Sequence, residues 1–280
     1  MEVAVTLQEF RKRRGALVGR VGFVPTMGYL HAGHMSLVER ARGENDHVVM
    51  SIFVNPAQFG PGEDLEKYPR DLDRDLEMAK RAGVRLVLAP ENTADVYPRG
   101  FDTYVHVEVL SRLWEGQKRP GHFRGVATVV AKLFNIVRPD VAYFGEKDFQ
   151  QLQVIRRMTR DLDLGIEIVG CETVREPDGL AMSSRNTYLD PTARARAVAL
   201  SRALGAAREL VAGGTRDTGP ILARMEAILK DNSLSIDYVT IVDPATLEPI
   251  DRLVGPARAL IAVFVGRIRL IDNARLEPNT

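Results

Sequence analysis

The chain has 280 residues, 45% of them hydrophobic and 27% charged, and a formal net charge of +1. This composition belongs to a folded globular protein with one large domain or two modest ones, and the near-zero charge provides no overall basic field for nucleic acid or anionic lipid. A single cysteine, Cys171, excludes an intramolecular disulfide framework and fits a reducing compartment; in its apolar run it reads as a buried core thiol.

No stretch approaches the ~20 consecutive apolar residues of a membrane span, and the first residues lack a signal-peptide pattern, so a cytoplasmic protein is expected. Thr6-Leu7-Gln8-Glu9 has the form of a capping box and should open a short basic helix running to about residue 17. A strand at 21–24 ends at Pro25, and a glycine-bearing loop at 26–33 leads into a helix at about 34–42. The run 48–54 has few polar positions, as expected of a parallel strand covered by helices on both faces. After a loop at 55–68 come a charged helix at about 71–82 and a strand at 84–88. A short strand at 104–107, a helix at 126–137 and a strand at 141–144 follow. A helix at 149–161 and a strand at 166–169 close the series.

Strands alternating with helices imply a mainly parallel α/β sheet, with ligand outside the carboxyl ends of its strands. Beyond about Thr173 the pattern changes. Helices at 193–211 and 221–229 precede an antiparallel set at 236–242 and 258–270, the latter bent at Val265-Gly266. The expected fold class is α/β: a Rossmann-like parallel-sheet nucleotide-binding domain over 1–173, then a smaller α+β C-terminal domain over 174–280.

The sharpest motif is Pro25-Thr26-Met27-Gly28-Tyr29-Leu30-His31-Ala32-Gly33-His34, between a strand and a helix start. Unpaired N–H groups and the positive helix end favour anions there. His31 and His34, three residues apart, point the same way and suit hydrogen bonds to phosphate oxygens. Taken alone, the pair also fits two histidines capping or packing a helix start. A zinc pair is the other alternative, but no further ligand cluster accompanies it. In this strand–loop–helix setting the pattern resembles the His-x-Gly-His signature of the nucleotidylyltransferase superfamily, which favours phosphate.

Three further segments sit where ligands are expected. Asn55 and Gln58 follow the second long strand and offer neutral donors and acceptors for a substrate with hydroxyls and a carboxylate, or else simply shape an Asn-Pro turn. In Gly145-Glu146-Lys147-Asp148-Phe149-Gln150-Gln151, Lys147 suits phosphate, Asp148 suits ribose hydroxyls and Gln151 points back to the same edge. A plain helix cap at Asp148 is the alternative. Met182-Ser183-Ser184-Arg185 offers two hydroxyls and a guanidinium for a polyphosphate clamp, or an ordinary polar turn.

Together these segments closely resemble the pantothenate synthetase (pantoate–β-alanine ligase) family from about Val21 through Leu189. Supporting segments are Glu63-Asp64-Leu65-Glu66-Lys67-Tyr68-Pro69-Arg70, Arg119-Pro120-Gly121-His122-Phe123-Arg124-Gly125-Val126 and Asp178-Gly179-Leu180, with a weaker mark at Arg269-Leu270-Ile271-Asp272-Asn273.

The resemblance implies ATP-dependent condensation of pantoate and β-alanine through a pantoyl-adenylate, releasing AMP and pyrophosphate, in coenzyme A biosynthesis. It implies ATP contacts from Pro25, Thr26, Met27, His31, His34, Gly145, Lys147, Asp148, Val174, Met182, Ser183, Ser184 and Arg185. Of these, His31, His34, Lys147, Ser183 and Arg185 are the implied catalytic set. Gln58, Gln151, Asn55, Tyr68 and Arg119 are implied for pantoate. Mg²⁺ is implied with ATP; Asp71, Asp73 and Asp75 flank Arg74 in the relevant segment, with nothing to choose among them. A homodimer is implied, with no nucleic acid or membrane partner.

No nucleophile–base pair stands out, so preorganised donors and positioning are expected to carry the chemistry. The segment around Ser183 is a candidate lid. The alternatives are a nucleotidylyltransferase acting on a phosphate-bearing substrate, a degenerate synthetase core handling RNA, and a non-catalytic nucleotide sensor. The Asn55–Gln58 pair and the Arg119–Val126 segment argue against the first, and the near-neutral charge against the second.

Overall fold

The computed structural model describes residues 1–278. The chain divides into two compact units: Met1–Glu146 with Gln150–Glu172, and Lys147–Phe149 with the chain from Thr173 onward.

In the first unit the elements run β1 (Glu2–Ala4), α1 (Leu7–Gly15), β2 (Val21–Thr26), α2 (Ala32–Glu44), β3 (His47–Ile52), α3 (Leu72–Arg81) and β4 (Leu86–Leu88). They continue with α4 (Thr93–Val96), α5 (Trp114–Lys118), α6 (His122–Val137), β5 (Val141–Gly145), α7 (Phe149–Asp161) and β6 (Glu167–Cys171). The six strands form one sheet in the order β1-β4-β3-β2-β5-β6, every pair parallel. From β2 the chain builds toward β3 and β4 on one side, then returns to lay β5 and β6 on the other. The order therefore reverses between β2 and β5, and their carboxyl ends flank the crevice where doubly wound sheets bind ligands.

Local chemistry explains these elements. Thr6 caps α1 by accepting from the Glu9 N–H, while the Glu9 carboxylate takes the Val5 N–H. Asp71 caps α3 through the Arg74 N–H. Burial of Val24, Met50, Val87 and Tyr143 with Leu30 and Val38 joins the sheet to α2. Each large side chain so buried contributes about 1.5–3 kcal/mol.

The second unit holds α8 (Pro191–Ala197), α9 (Ala199–Ala212), α10 (Thr218–Asp231), β7 (Ser235–Val242), β8 (Ala257–Val265) and β9 (Ile268–Leu276). Its strands form an antiparallel sheet, β7-β8-β9. Leu200 and Leu204 of α9, Ile221 and Met225 of α10, and Ile261 and Val263 of β8 share its core. The expected fold class holds: a parallel α/β sheet and a smaller antiparallel α+β part.

Four expectations change. Residues 104–107 form no strand: the Val105 N–H donates to Thr128 Oγ1, and Arg124 lies over the exposed Tyr104 ring. The helix expected at 193–211 is two helices meeting at Val198. The bent strand at 258–270 is a hairpin: Gly266, at φ +61°, reverses the chain between β8 and β9. Finally, α2 starts at Ala32 rather than His34, which makes His31 its cap. The short elements β1, α4 and α5 carry too little periodicity to be read from sequence. No helix among the described residues is long and apolar enough to cross a membrane.

Candidate active site

The segment joining β2 to α2 is held from below. Thr26 Oγ1 donates to the Ser51 carbonyl at 2.8 Å and accepts the Gly28 N–H at 3.2 Å. Gly28 (φ +82°) and Tyr29 (φ +50°) turn the chain through left-handed space. The buried Asp75 carboxylate then accepts the N–H groups of Tyr29 and Leu30, both at 2.7 Å. Burial pushes its pKa upward, opposed by those two N–H groups and by Arg74. Arg74 also donates to the Leu30 carbonyl at 2.9 Å and lies over the Tyr29 ring. Pro25 and Met27, at either side of Thr26, are half-buried.

This turn delivers His31 and His34 as a matched pair. His31 Nδ1 accepts the Gly33 N–H at 3.1 Å, and His34 Nδ1 accepts the His31 N–H at 3.3 Å. The ring centroids lie 4.1 Å apart. The capping alternative raised by the sequence is thus realised, and it has a chemical consequence. A neutral imidazole accepting at Nδ1 carries its proton at Nε2. Capping and anion binding are therefore compatible in one ring.

The second cluster surrounds a 3-10 turn over Pro56–Gln58. Asn55, 1% exposed, donates through Nδ2 to Gln58 Oε1 (3.0 Å) and the Gly125 carbonyl (3.2 Å). Its Oδ1 accepts from the Ala57 N–H and from the Tyr97 hydroxyl at 2.8 Å. Both amide hydrogens and both lone pairs are engaged, so Asn55 acts as scaffolding for Gln58 rather than as a free recognition group. The Gln58 amide in turn donates to Met27 Sδ at 3.0 Å, which ties this turn to the histidine loop. Gly125 makes the close approach possible: a Cβ there would lie 2.1 Å from the Ala57 carbonyl oxygen.

Arg119 binds Glu63 with two hydrogen bonds, at 2.8 and 2.7 Å, and contacts His122 Nε2 at 3.1 Å. His122 Nδ1 lies 2.8 Å from the Gln58 carbonyl. Burial and the adjacent guanidinium push the His122 pKa down to about 4. Burial alone would raise the Glu63 pKa, but the Arg119 hydrogen bonds hold it below its ordinary value. Tyr68 is buried edge-on against Phe59, with ring centroids 5.8 Å apart.

At the end of β5, Gly145 is followed by a 3-10 turn over Glu146–Asp148 that runs into α7. Lys147 Nζ lies 3.8 Å from the Asp148 carboxylate. Gln151 is half-buried in the first turn of α7. Its neighbour Gln150 instead faces inward, holding the chain at Leu110, Leu113 and Glu115 by three hydrogen bonds.

Within the second unit, the weak Asp272-Asn273 mark proves to be an anchor. Asn273 Nδ2 donates to the Lys147 carbonyl at 2.8 Å, and its Oδ1 accepts from Arg258, which covers the Phe149 ring. Buried Asp272 binds Arg175 at 2.7 and 3.0 Å. Arg175 pairs antiparallel with Ala181, and the Met182 N–H donates to the Val174 carbonyl at 3.0 Å. Ser183 then caps a 3-10 turn over Ser184–Tyr188, its hydroxyl oxygen accepting the Arg185 N–H. Ser183, Ser184 and Arg185 are therefore displayed together by one turn.

Glu63, His122, Tyr97 and Gln150 received no role from sequence, and Asp75, considered only beside Asp71 and Asp73 for Mg²⁺, instead holds the Tyr29 and Leu30 N–H groups. Glu63, His122 and Gln150 stand inside segments that the sequence marks, but nothing local in those segments announces their long-range bonds. Cys171 is half-buried rather than fully buried, and burial raises its thiol pKa to about 11, which makes it a poor nucleophile. No group of three or more His, Cys, Asp or Glu side chains suited to a metal ion gathers among the described residues.

Known proteins share this sequence and fold. The family model described as Pantoate-beta-alanine ligase matches residues 2–275. A pantothenate synthetase from Roseiflexus castenholzii is 55% identical over 278 residues, covering 99% of this chain and 100% of the relative. The crystal structure of pantothenate synthetase from Thermus thermophilus superposes with a TM-score of 0.95 at 53% identity, covering 99% of this chain and 100% of that one. The pantoate-beta-alanine ligase of Francisella tularensis, solved in complex with beta-gamma ATP and beta-alanine, gives a TM-score of 0.80 at 32% identity, covering 98% and 97%. By its sequence over nearly its full length and by its fold, the chain belongs to the pantoate–β-alanine ligase family.

Proposed function

We propose that this chain condenses pantoate with β-alanine to pantothenate, consuming ATP through a pantoyl-adenylate and releasing AMP and pyrophosphate. The observation that carries the reading is full-length family membership combined with a loop that presents two Nδ1-accepting imidazoles at a helix start.

In the first step the pantoate carboxylate attacks the α-phosphorus of ATP and the bond to pyrophosphate breaks. Charge grows on the phosphoryl oxygens and on the leaving group, where preorganised donors act most strongly. His31 and His34 supply Nε2–H donors, while Lys147, Ser183 and Arg185 serve the polyphosphate. Pro25, Thr26, Met27, Met182 and Ser184 line the nucleotide, Gly145 and Asp148 take the ribose, and the Val174 backbone reads adenine. Gln58 and Gln151 hold pantoate; Asn55 supports Gln58, with Tyr68 and Arg119 bordering the substrate. In the second step the β-alanine amine attacks the activated acyl carbon and AMP departs.

Mg²⁺ would neutralise phosphate charge. An ion riding on a nucleotide keeps most of its ligands from phosphate and water and needs only about one or two carboxylates. That suits a chain in which Asp71 and Asp75 already hold backbone N–H groups. The proposal extends to a homodimer, a cytoplasmic location and a lid role for the part over 174–280.

Product analysis tests the reaction class. With ATP, pantoate and β-alanine the expected products are AMP and an amide in equal amounts. A product that retains the nucleotide would overturn the ligase reading in favour of nucleotidyl transfer.

A further inference from the structure

We infer that His122, to which no sequence motif assigned a role, is a positioning residue for pantoate: it fixes the Gln58 turn and couples it to the Glu63-bearing loop through Arg119. The inference rests on the assignment of Gln58 to pantoate.

Hydrogen-bond chemistry leaves one arrangement. A guanidinium only donates, so Arg119 Nη1, at 3.1 Å, obliges His122 Nε2 to accept. The ring proton must then sit on Nδ1, where it donates to the Gln58 carbonyl at 2.8 Å. His122 is 8% exposed, and Arg119 already donates two hydrogen bonds to Glu63. Protonated His122 would face the guanidinium with two like charges, so the chain of bonds is complete only with a neutral ring.

Gln58 is thereby fixed at three places. His122 holds its carbonyl, Asn55 holds Oε1, and Nε2 is directed at Met27 Sδ. A terminal amide has two hydrogens and two lone pairs, so one hydrogen and one lone pair remain for a substrate hydroxyl or carboxylate. Their direction is set by the turn that His122 pins.

Two near-isosteres divide the two bonds. Asparagine places its amide nitrogen near the Nδ1 position, and glutamine places its terminal oxygen near Nε2. His122→Asn should keep the donor to Gln58 and leave the KM for pantoate near that of the parent. His122→Gln should keep the Arg119 contact, lose the Gln58 bond and raise the pantoate KM on the order of tenfold to a hundredfold, the scale of a misplaced binding group. The KM values for ATP and β-alanine should stay put in both. Equal effects of the two variants on all three KM values would reduce His122 to a packing residue and overturn the inference.

Gln58→Ala separates the layers. If it leaves the pantoate KM unchanged, the assignment of Gln58 fails. If it raises that KM while His122→Gln does not, the positioning role fails. Should a variant not fold, ¹⁵N-histidine spectra of the unaltered protein decide. A neutral Nδ1–H tautomer for His122 at pH 7, shifting on addition of pantoate, supports the inference, and an Nε2–H tautomer or a cation overturns it.

Discussion

At the residue scale, the two imidazoles after β2 each take a backbone N–H on Nδ1, which leaves the proton on Nε2. A cap interaction of this kind is worth about 0.5–2 kcal/mol, a modest share of stability. Losing one preorganised donor to a developing oxyanion costs roughly 10²–10³ in rate. His34→Ala should therefore slow pyrophosphate release by that factor while its unfolding midpoint moves little. Near-normal release from the variant would discard the donor role. The His-x-x-His spacing was legible because both residues lie in one local turn. The loop-holding role of Asp75, singled out only with Asp71 and Asp73 for Mg²⁺, was not legible, since its bonds to Tyr29 and Leu30 span some forty-five positions and depend on how α3 meets the β2–α2 segment. Asn55 was found for its chemistry, but only the structure shows that its hydrogen-bonding capacity is turned inward.

At the element scale, the contact between the Pro56–Gln58 turn and α6 depends on a missing side chain. With the Ala57 carbonyl 2.1 Å from any Cβ at position 125, Gly125→Ala must push the turn and the helix apart. Overpacking of this kind costs about 1–3 kcal/mol, more than the roughly 1 kcal/mol that alanine gains over glycine in a helix. The expected result is a lower denaturation midpoint together with weaker pantoate binding, because Gln58 rides on that turn. An unchanged midpoint would refute the packing account. Long periodic elements such as α7 were legible in full, their apolar spacing being a local property. The junction at Val198 was not, because both flanking segments carry good helix formers and no glycine or proline marks the break. The missing strand at 104–107 failed for the opposite reason: aromatic and β-branched residues suit a strand, but no strand partner meets them and Thr128 takes the Val105 N–H.

At the scale of the whole molecule, the parallel sheet and its reversal between β2 and β5 bring the Thr26 and Gly145 strand ends to neighbouring strands. The family resemblance legible in the motifs extends across residues 2–275. The second unit was harder to delimit from sequence, since Lys147–Phe149, which run from the turn after β5 into the first residue of α7, belong with it. That assignment follows from long-range bonds such as Asn273 to the Lys147 carbonyl, which no local pattern announces.

Central to this account is a two-step reaction in which ATP is cleaved before the amine is needed. Pyrophosphate release measured with ATP and pantoate alone, at enzyme concentrations high enough to see one turnover, tests it directly. A burst approaching one pyrophosphate per active site without β-alanine, becoming continuous turnover when β-alanine is added, is the predicted result. Release that ignores pantoate, or that begins only once β-alanine is present, would contradict the adenylate mechanism.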